Sequence, residues 1–204
     1  MSGHGDRRKV VITIEVGCCD PCAGQNGGGE TGGPPQPVPT PFLVIPCVPG
    51  DTGSRPIPVT LALTSQAIQA TIANPTSPNG WTDFQVQLSC VVANLGAVAS
   101  PAAMIEFYTG AAIGIWNPGH DTLTPAQVQA GVQLVGRASF TAPPGSATTV
   151  NCPAYWVPGS AQNAQQGVLV QVRDLFTDPW TAPFDAVNDR HVARNDEIMD
   201  PLIF

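Results

Sequence analysis

Residues Phe84-Gln85-Val86-Gln87-Leu88-Ser89-Cys90 alternate apolar and polar without a break. A two-residue period puts every second side chain on one face of a pleated strand, so this segment reads as a half-buried strand and not as a helix. A strand of this kind constrains the whole chain, because its apolar face has to be buried against a second layer. Other short apolar runs are separated by turn residues: Leu43-Val44-Ile45, Val59 to Leu63, Ala103 to Tyr108, Gln133 to Phe140, Ala147 to Asn151, Gly167 to Arg173, and His191 to Ala193. Ala67 to Ile72 either continues the run at Val59 to Leu63 or forms a short strand of its own. Thr124-Pro125-Ala126-Gln127-Val128 fits the opening of a helical turn, with Thr124 as N-cap and Pro125 at the first position. Strands at this spacing, stopped by Asn74-Pro75 to Asn79-Gly80 and Pro143-Pro144-Gly145, predict an all-β antiparallel sandwich.

Composition agrees. Charged residues make up only 11% of the 204 residues, against about 25% in ordinary globular chains. A helical bundle needs Lys, Glu and Arg on its exposed faces, and they are scarce here. The chain has 21 Gly and 22 Pro, and its net charge is -7. Lys9 is the only lysine, so few phosphates could be neutralised and nucleic-acid binding is excluded as a function class. Seven of the fifteen acids fall between Asp174 and Asp200, while Arg7-Arg8-Lys9 lies at the other end. No stretch approaches the roughly 20 apolar residues of a membrane span. The apolar run after Arg7-Arg8-Lys9 is short and interrupted by Thr13 and Glu15, a poor match to a secretion signal. The chain reads as soluble, with its compartment open.

Three regions follow. Residues 1–16 form an N-terminal strand arm, in which Val10, Ile12, Ile14 and Val16 alternate with Val11, Thr13 and Glu15. A lone strand is unstable and needs a partner sheet. Residues 17–41 are a tether: Gly27-Gly28-Gly29 and Gly32-Gly33 are flexible by composition, and Pro34, Pro35, Pro37, Pro39 and Pro41 favour an extended chain. Residues 42–204 are the sandwich.

Part of the sandwich resembles a known family. Trp81-Thr82-Asp83-Phe84, Cys90-Val91-Val92-Ala93-Asn94-Leu95-Gly96, Phe140-Thr141-Ala142-Pro143-Pro144-Gly145, Trp156 followed by Val168 to Val172, and Asp178-Pro179, Asn188-Asp189 and Ala193-Arg194-Asn195 follow one another in the order of strands and turns of the cell-adhesion-related domain found in bacteria, CARDB. The resemblance covers roughly residues 81–195. It implies an immunoglobulin-like sandwich and a theme of surface attachment or assembly, with surface or particle association, and it implies no catalytic residues. Where such domains often carry a His or Cys before the strand at Val168, this chain has Gln165-Gln166-Gly167.

Six cysteines are the sharpest chemical feature. Cys18, Cys19 and Cys22 contain one Cys-x-x-Cys pair, a spacing at which thiolates can wrap zinc. A fourth ligand would have to be Cys47 or His4. Disulfides within or between chains, or free thiols, are the other readings. Cys90 shares a face with Phe84, Val86 and Leu88, so it is either a buried thiol or the partner of Cys152 or Cys47 in a disulfide. His4, His120 and His191 are far apart, and no nucleophile motif accompanies them. Asp174, Asp178, Asp185 and Asp189 could meet around calcium, though their spacing matches no EF-hand, and a solvated acidic loop is the default. Trp156, Trp180 and Phe184 read as core or loop anchors. No cofactor is expected. The chain therefore reads as a non-enzymatic structural or adhesion module, self-associating through its N-terminal strand or joining a larger assembly. The alternative is a monomeric binding module for carbohydrate or another surface ligand, using loop aromatics such as Trp116 and Trp180.

Overall fold

The computed structural model describes residues 40–73, 85–110, 124–158 and 167–198. The arm with Val10, Ile12, Ile14 and Val16, the cysteines Cys18, Cys19 and Cys22, the tether up to residue 39, His4, His120, Trp116 and the run Trp81 to Phe84 lie outside the described residues.

Among the described residues, eight strands and two short helices follow in order: β1 (Leu43–Val44), α1 (Val59–Ala62), β2 (Ile68–Ile72), β3 (Val86–Asn94), β4 (Ser100–Gly110), α2 (Pro125–Gly131), β5 (Gln133–Ala142), β6 (Ser146–Trp156), β7 (Gly167–Asp174) and β8 (Val192–Asn195). They build an immunoglobulin-like antiparallel sandwich of two four-stranded sheets. In the first, β6 runs along the whole of β3. The other side of β3 is shared, with β2 against Val86–Cys90 and β1 against Ala93 and Asn94. The second sheet has the order β5-β4-β7-β8. The turn at Pro143-Pro144-Gly145, with Gly145 at φ 62°, carries the chain from β5 in one sheet to β6 in the other.

The alternation of β3 is met in full: Val86, Leu88, Cys90 and Val92 are buried and the residues between them are half-buried. They pack against Ala103, Ile105 and Phe107 of β4 and Val168, Val170 and Val172 of β7. Each fully buried side chain of this size contributes about 1.5–3 kcal/mol. β7 does not alternate; almost every residue in it is buried. The outer face of its sheet is also covered, because Leu169 and Val192 pack under Ala62 of α1, Val128 of α2, Ala186, Val187 and Phe184. A strand covered on both faces reads as a continuous apolar run, as Val168-Leu169-Val170 does.

Two expectations need correction. The run Val59 to Leu63 is no strand: Val59–Ala62 is one helical turn, in which the Leu61 and Ala62 amides donate to the Pro58 carbonyl. A run of five residues cannot distinguish a strand from a helical turn by period alone, and here the turn seats Ala62 on the second cluster. β6 runs on past Asn151 to Trp156. Pro153 lacks an amide donor, but it sits where the β3–β6 register shifts between Gln87 and Ser89, and an irregular position tolerates proline. The helical turn at Thr124 forms as expected, with a capping box between Thr124 and Gln127. Among the described residues, no helix is long and apolar enough to cross a membrane.

Candidate functional site

The four acids proposed for calcium do not converge. Asp174 accepts from the Ser100 hydroxyl at 2.6 Å and from the Phe176 and Thr177 amides. Asp185 accepts from the Val187 and Asn188 amides. Asp189 accepts from the Thr181 and Ala182 amides at 2.7 and 2.6 Å. Asp178 accepts from the Leu43 amide at 2.6 Å and pairs with the Arg190 guanidinium. Each carboxylate is used up in closing its own turn or pinning a strand. Among the described residues no group of three His, Cys, Asp or Glu side chains could hold a metal ion.

Two of these acids clamp His191, whose side chain is 0% exposed. Its Nδ1 lies 2.6 Å from Asp189 Oδ1. Its Nε2 lies 3.1 Å from Asp178 Oδ1, an ion-pair contact without hydrogen-bond geometry. Burial alone would lower the pKa of this histidine, but Asp178 and Asp189 outweigh it and raise it. Burial alone would raise the Asp189 carboxyl; the bonds from His191 and from the Ala182 amide hold it well below the usual carboxylate range. The cluster ties the loop 175–191 to β1: the Arg190 carbonyl accepts from the Ile45 amide at 2.9 Å, and the Arg190 guanidinium stacks on Phe42. A histidine sealed from solvent cannot reach a substrate, so this arrangement fastens the fold. The sequence signal for it was Asp189-Arg190-His191, an isolated histidine preceded by an acid and a base; Asp178 as the second clamp was not legible.

Cys47, Cys90 and Cys152 are buried and carry free thiols. Burial pushes the Cys47 thiol up to about 11, and the Cys90 thiol is also raised, chiefly by burial. Thiols held protonated in this way are poor nucleophiles and poor metal ligands. Trp156 is a core residue. Trp180 donates its indole N–H to the Val172 carbonyl at 2.8 Å, and Arg173 covers its ring at 3.9 Å. One ring face is therefore unavailable as a sugar platform. Phe184, at φ 62°, meets Tyr108 edge to face.

The solvent-facing features are of another kind. Phe176 is 90% exposed at the tip of a turn whose base is tied by paired Asp174–Asp178 backbone bonds and by the Asp174 carboxylate. Sheet edges are the second feature. The outer edge of β8 is covered by Leu63–Ser65, through bonds from the Ser65 and Asp196 amides. β1 is two residues long; its Leu43 amide is taken by Asp178, and the Ile45 amide just past it by the Arg190 carbonyl. β5 carries the exposed Arg137, and β6 carries Pro153. β2 has less: Ile68-Gln69-Ala70-Thr71-Ile72 contains no charge, proline or glycine, among the described residues it pairs with β3 alone, and at its start the Ile68 amide donates to the Ser65 carbonyl at 3.4 Å.

No family model matches the chain, and no curated protein does. Among solved structures the chain is similar to DesR, a β-glucosidase from Streptomyces venezuelae in complex with D-glucose, at 18% identity over 62% of this chain and 14% of that one, with a TM-score of 0.29. It is similar to the β-glucosidase D2-BGL from Chaetomella raphigera at 18% identity over 62% of this chain and 17% of that one, with a TM-score of 0.30. The β-D-glucoside glucohydrolase from Trichoderma reesei matches at 14% identity over 76% of this chain and 17% of its own length, with a TM-score of 0.26. The chain thus spans 14% to 17% of the length of these enzymes, and superpositions this loose carry no functional argument.

Proposed function

We propose that this chain is a non-enzymatic structural or assembly module that self-associates through its N-terminal strand. The observation that carries this reading is the outer edge of β2, which past the Ile68 amide has, among the described residues, neither charge, proline nor a covering strand. Folded proteins protect such edges because a row of unpaired backbone groups recruits another strand. An edge left bare in an otherwise well-sealed sandwich is a place for β-augmentation. The attachment theme of the CARDB resemblance points the same way. The test is light scattering on purified protein with and without residues 1–22. Oligomers that become monomers on truncation support the reading; an unchanged assembly state sinks it.

A second reading, a binding module for a surface ligand, is favoured by Phe176. A rigid turn presenting a 90% exposed aromatic ring loses little entropy on binding. A glycan and protein-ligand screen with wild type and Phe176→Ala would separate the two readings, since binding lost in the variant belongs to the second alone.

A further inference from the structure

β2 offers specific backbone groups. The Val91 amide donates to the Ala67 carbonyl, and the Ala73 amide donates to the Gln85 carbonyl at the other end of the pairing. In an antiparallel ladder hydrogen-bonded pairs alternate with non-bonded ones. With Gln69 opposite Ser89 and Thr71 opposite Gln87, these two residues spend their backbone groups on β3. The N–H and C=O of Ala70 and Ile72 therefore face outward, while the side chains of Gln69 and Thr71 are exposed and Ile68 is in the core.

The arm supplies what this edge lacks. Val10, Ile12, Ile14 and Val16 alternate with Val11, Thr13 and Glu15, so a strand laid beside β2 would continue the apolar face of Ile68, Ala70 and Ile72. Its Thr13 and Glu15 would extend the polar face of Gln69 and Thr71. The spacer bears on whose arm it is. Residues 34–39 hold four prolines, a composition that favours an extended chain of about 3.1 Å per residue, or a reach of ~19 Å beyond Thr40. Resting on the assembly reading above, we propose that the outer edge of β2, Ile68–Ile72, accepts residues 10–16 of a second copy of this chain as an added edge strand. Exchange of an identical element between protomers is a low-cost route to oligomers.

The experiment uses three full-length proteins: wild type, Ala70→Pro, and Ile12→Asp with Ile14→Asp. Proline at position 70 removes an outward amide and leaves the ladder to β3 intact; the second variant leaves the sandwich untouched. Mass by light scattering and residue-resolved amide exchange are read together. The expected result is an oligomeric wild type with Ala70 and Ile72 amides protected, and two monomeric variants. In the arm variant the Ala70 and Ile72 amides lose protection while Gln69 and Thr71 keep it, which also reports an intact sheet. Oligomers that survive Ala70→Pro with Gln69 and Thr71 still protected, but not the arm variant, overturn the β2 edge and leave the assembly reading standing. Oligomers that survive the arm variant but not Ala70→Pro mean that β2 pairs with β2, and overturn the occupant. A monomeric wild type overturns both, and protected Ala70 and Ile72 amides in it would place the arm on its own sheet.

Discussion

At His191 the structure concentrates its electrostatic cost. A fully enclosed imidazole has a carboxylate beside each nitrogen, and both carboxylates favour its protonated form; removing it takes one partner from Asp189, which keeps the Thr181 and Ala182 amides, and one from Asp178, which keeps Arg190 and the Leu43 amide. Breaking a buried pair by removing one member costs about 3–5 kcal/mol. Because both carboxylates keep other donors, His191→Ala should lower stability by less than that in urea denaturation. The pH dependence follows from the two shifts. Folding raises the His191 pKa, so its contribution is complete below the ordinary value of about 6.5 and is lost as pH rises through the folded value. Folding lowers the Asp189 pKa, so its contribution is complete above about 3.9 and is lost as pH falls. Both contributions are therefore complete between roughly pH 4 and 6.5, and urea midpoints should fall above that window as His191 loses its proton and below it as Asp189 gains one. His191→Gln should flatten the alkaline side, and an unchanged profile in that variant would reject the clamp. Gly96 is a second such residue. A Cβ there would lie 2.3 Å from the Thr40 carbonyl oxygen and 2.7 Å from the Phe42 nitrogen. Backbone cannot yield as a side chain can, so Gly96→Ala should cost about 1–3 kcal/mol by the same measurement. The sequence marked Asn94-Leu95-Gly96 as a turn, but the close approach comes from residues more than fifty positions earlier.

Among the elements, legibility tracked burial on one face. β3 could be read residue by residue because one side meets the core and the other does not. α1 could not, because its single turn is decided by the cluster it seats against rather than by its own period. α2 was announced by its cap: Thr124 and Gln127 bond reciprocally. Thr124→Ala should cost ~1 kcal/mol, visible as faster exchange of the α2 amides with the sheets unaffected. Loss of protection across β4 and β7 as well would show that α2 holds the outer face of its sheet. The edge character of β2 was invisible in sequence, since Ile68-Gln69-Ala70-Thr71-Ile72 would suit a central strand equally well.

At the scale of the whole molecule, the sandwich owes its stability to packing. Cys47, Cys90 and Cys152 are free, so reductant should leave its thermal midpoint unchanged; a drop would reveal a bridge the fold depends on. If reductant instead changes the assembly state alone, the cysteines of the tether act between copies. What the sequence determined by itself was local: the two-residue alternation, the turn residues and the scarcity of charge were enough for an all-β sandwich, because each depends on neighbours along the chain. The tertiary structure alone decided which acids meet His191, which thiols are sealed, and which edge has no partner strand among the described residues. Those outcomes are set by distant strands packing together, and spacing along the sequence does not encode that distance.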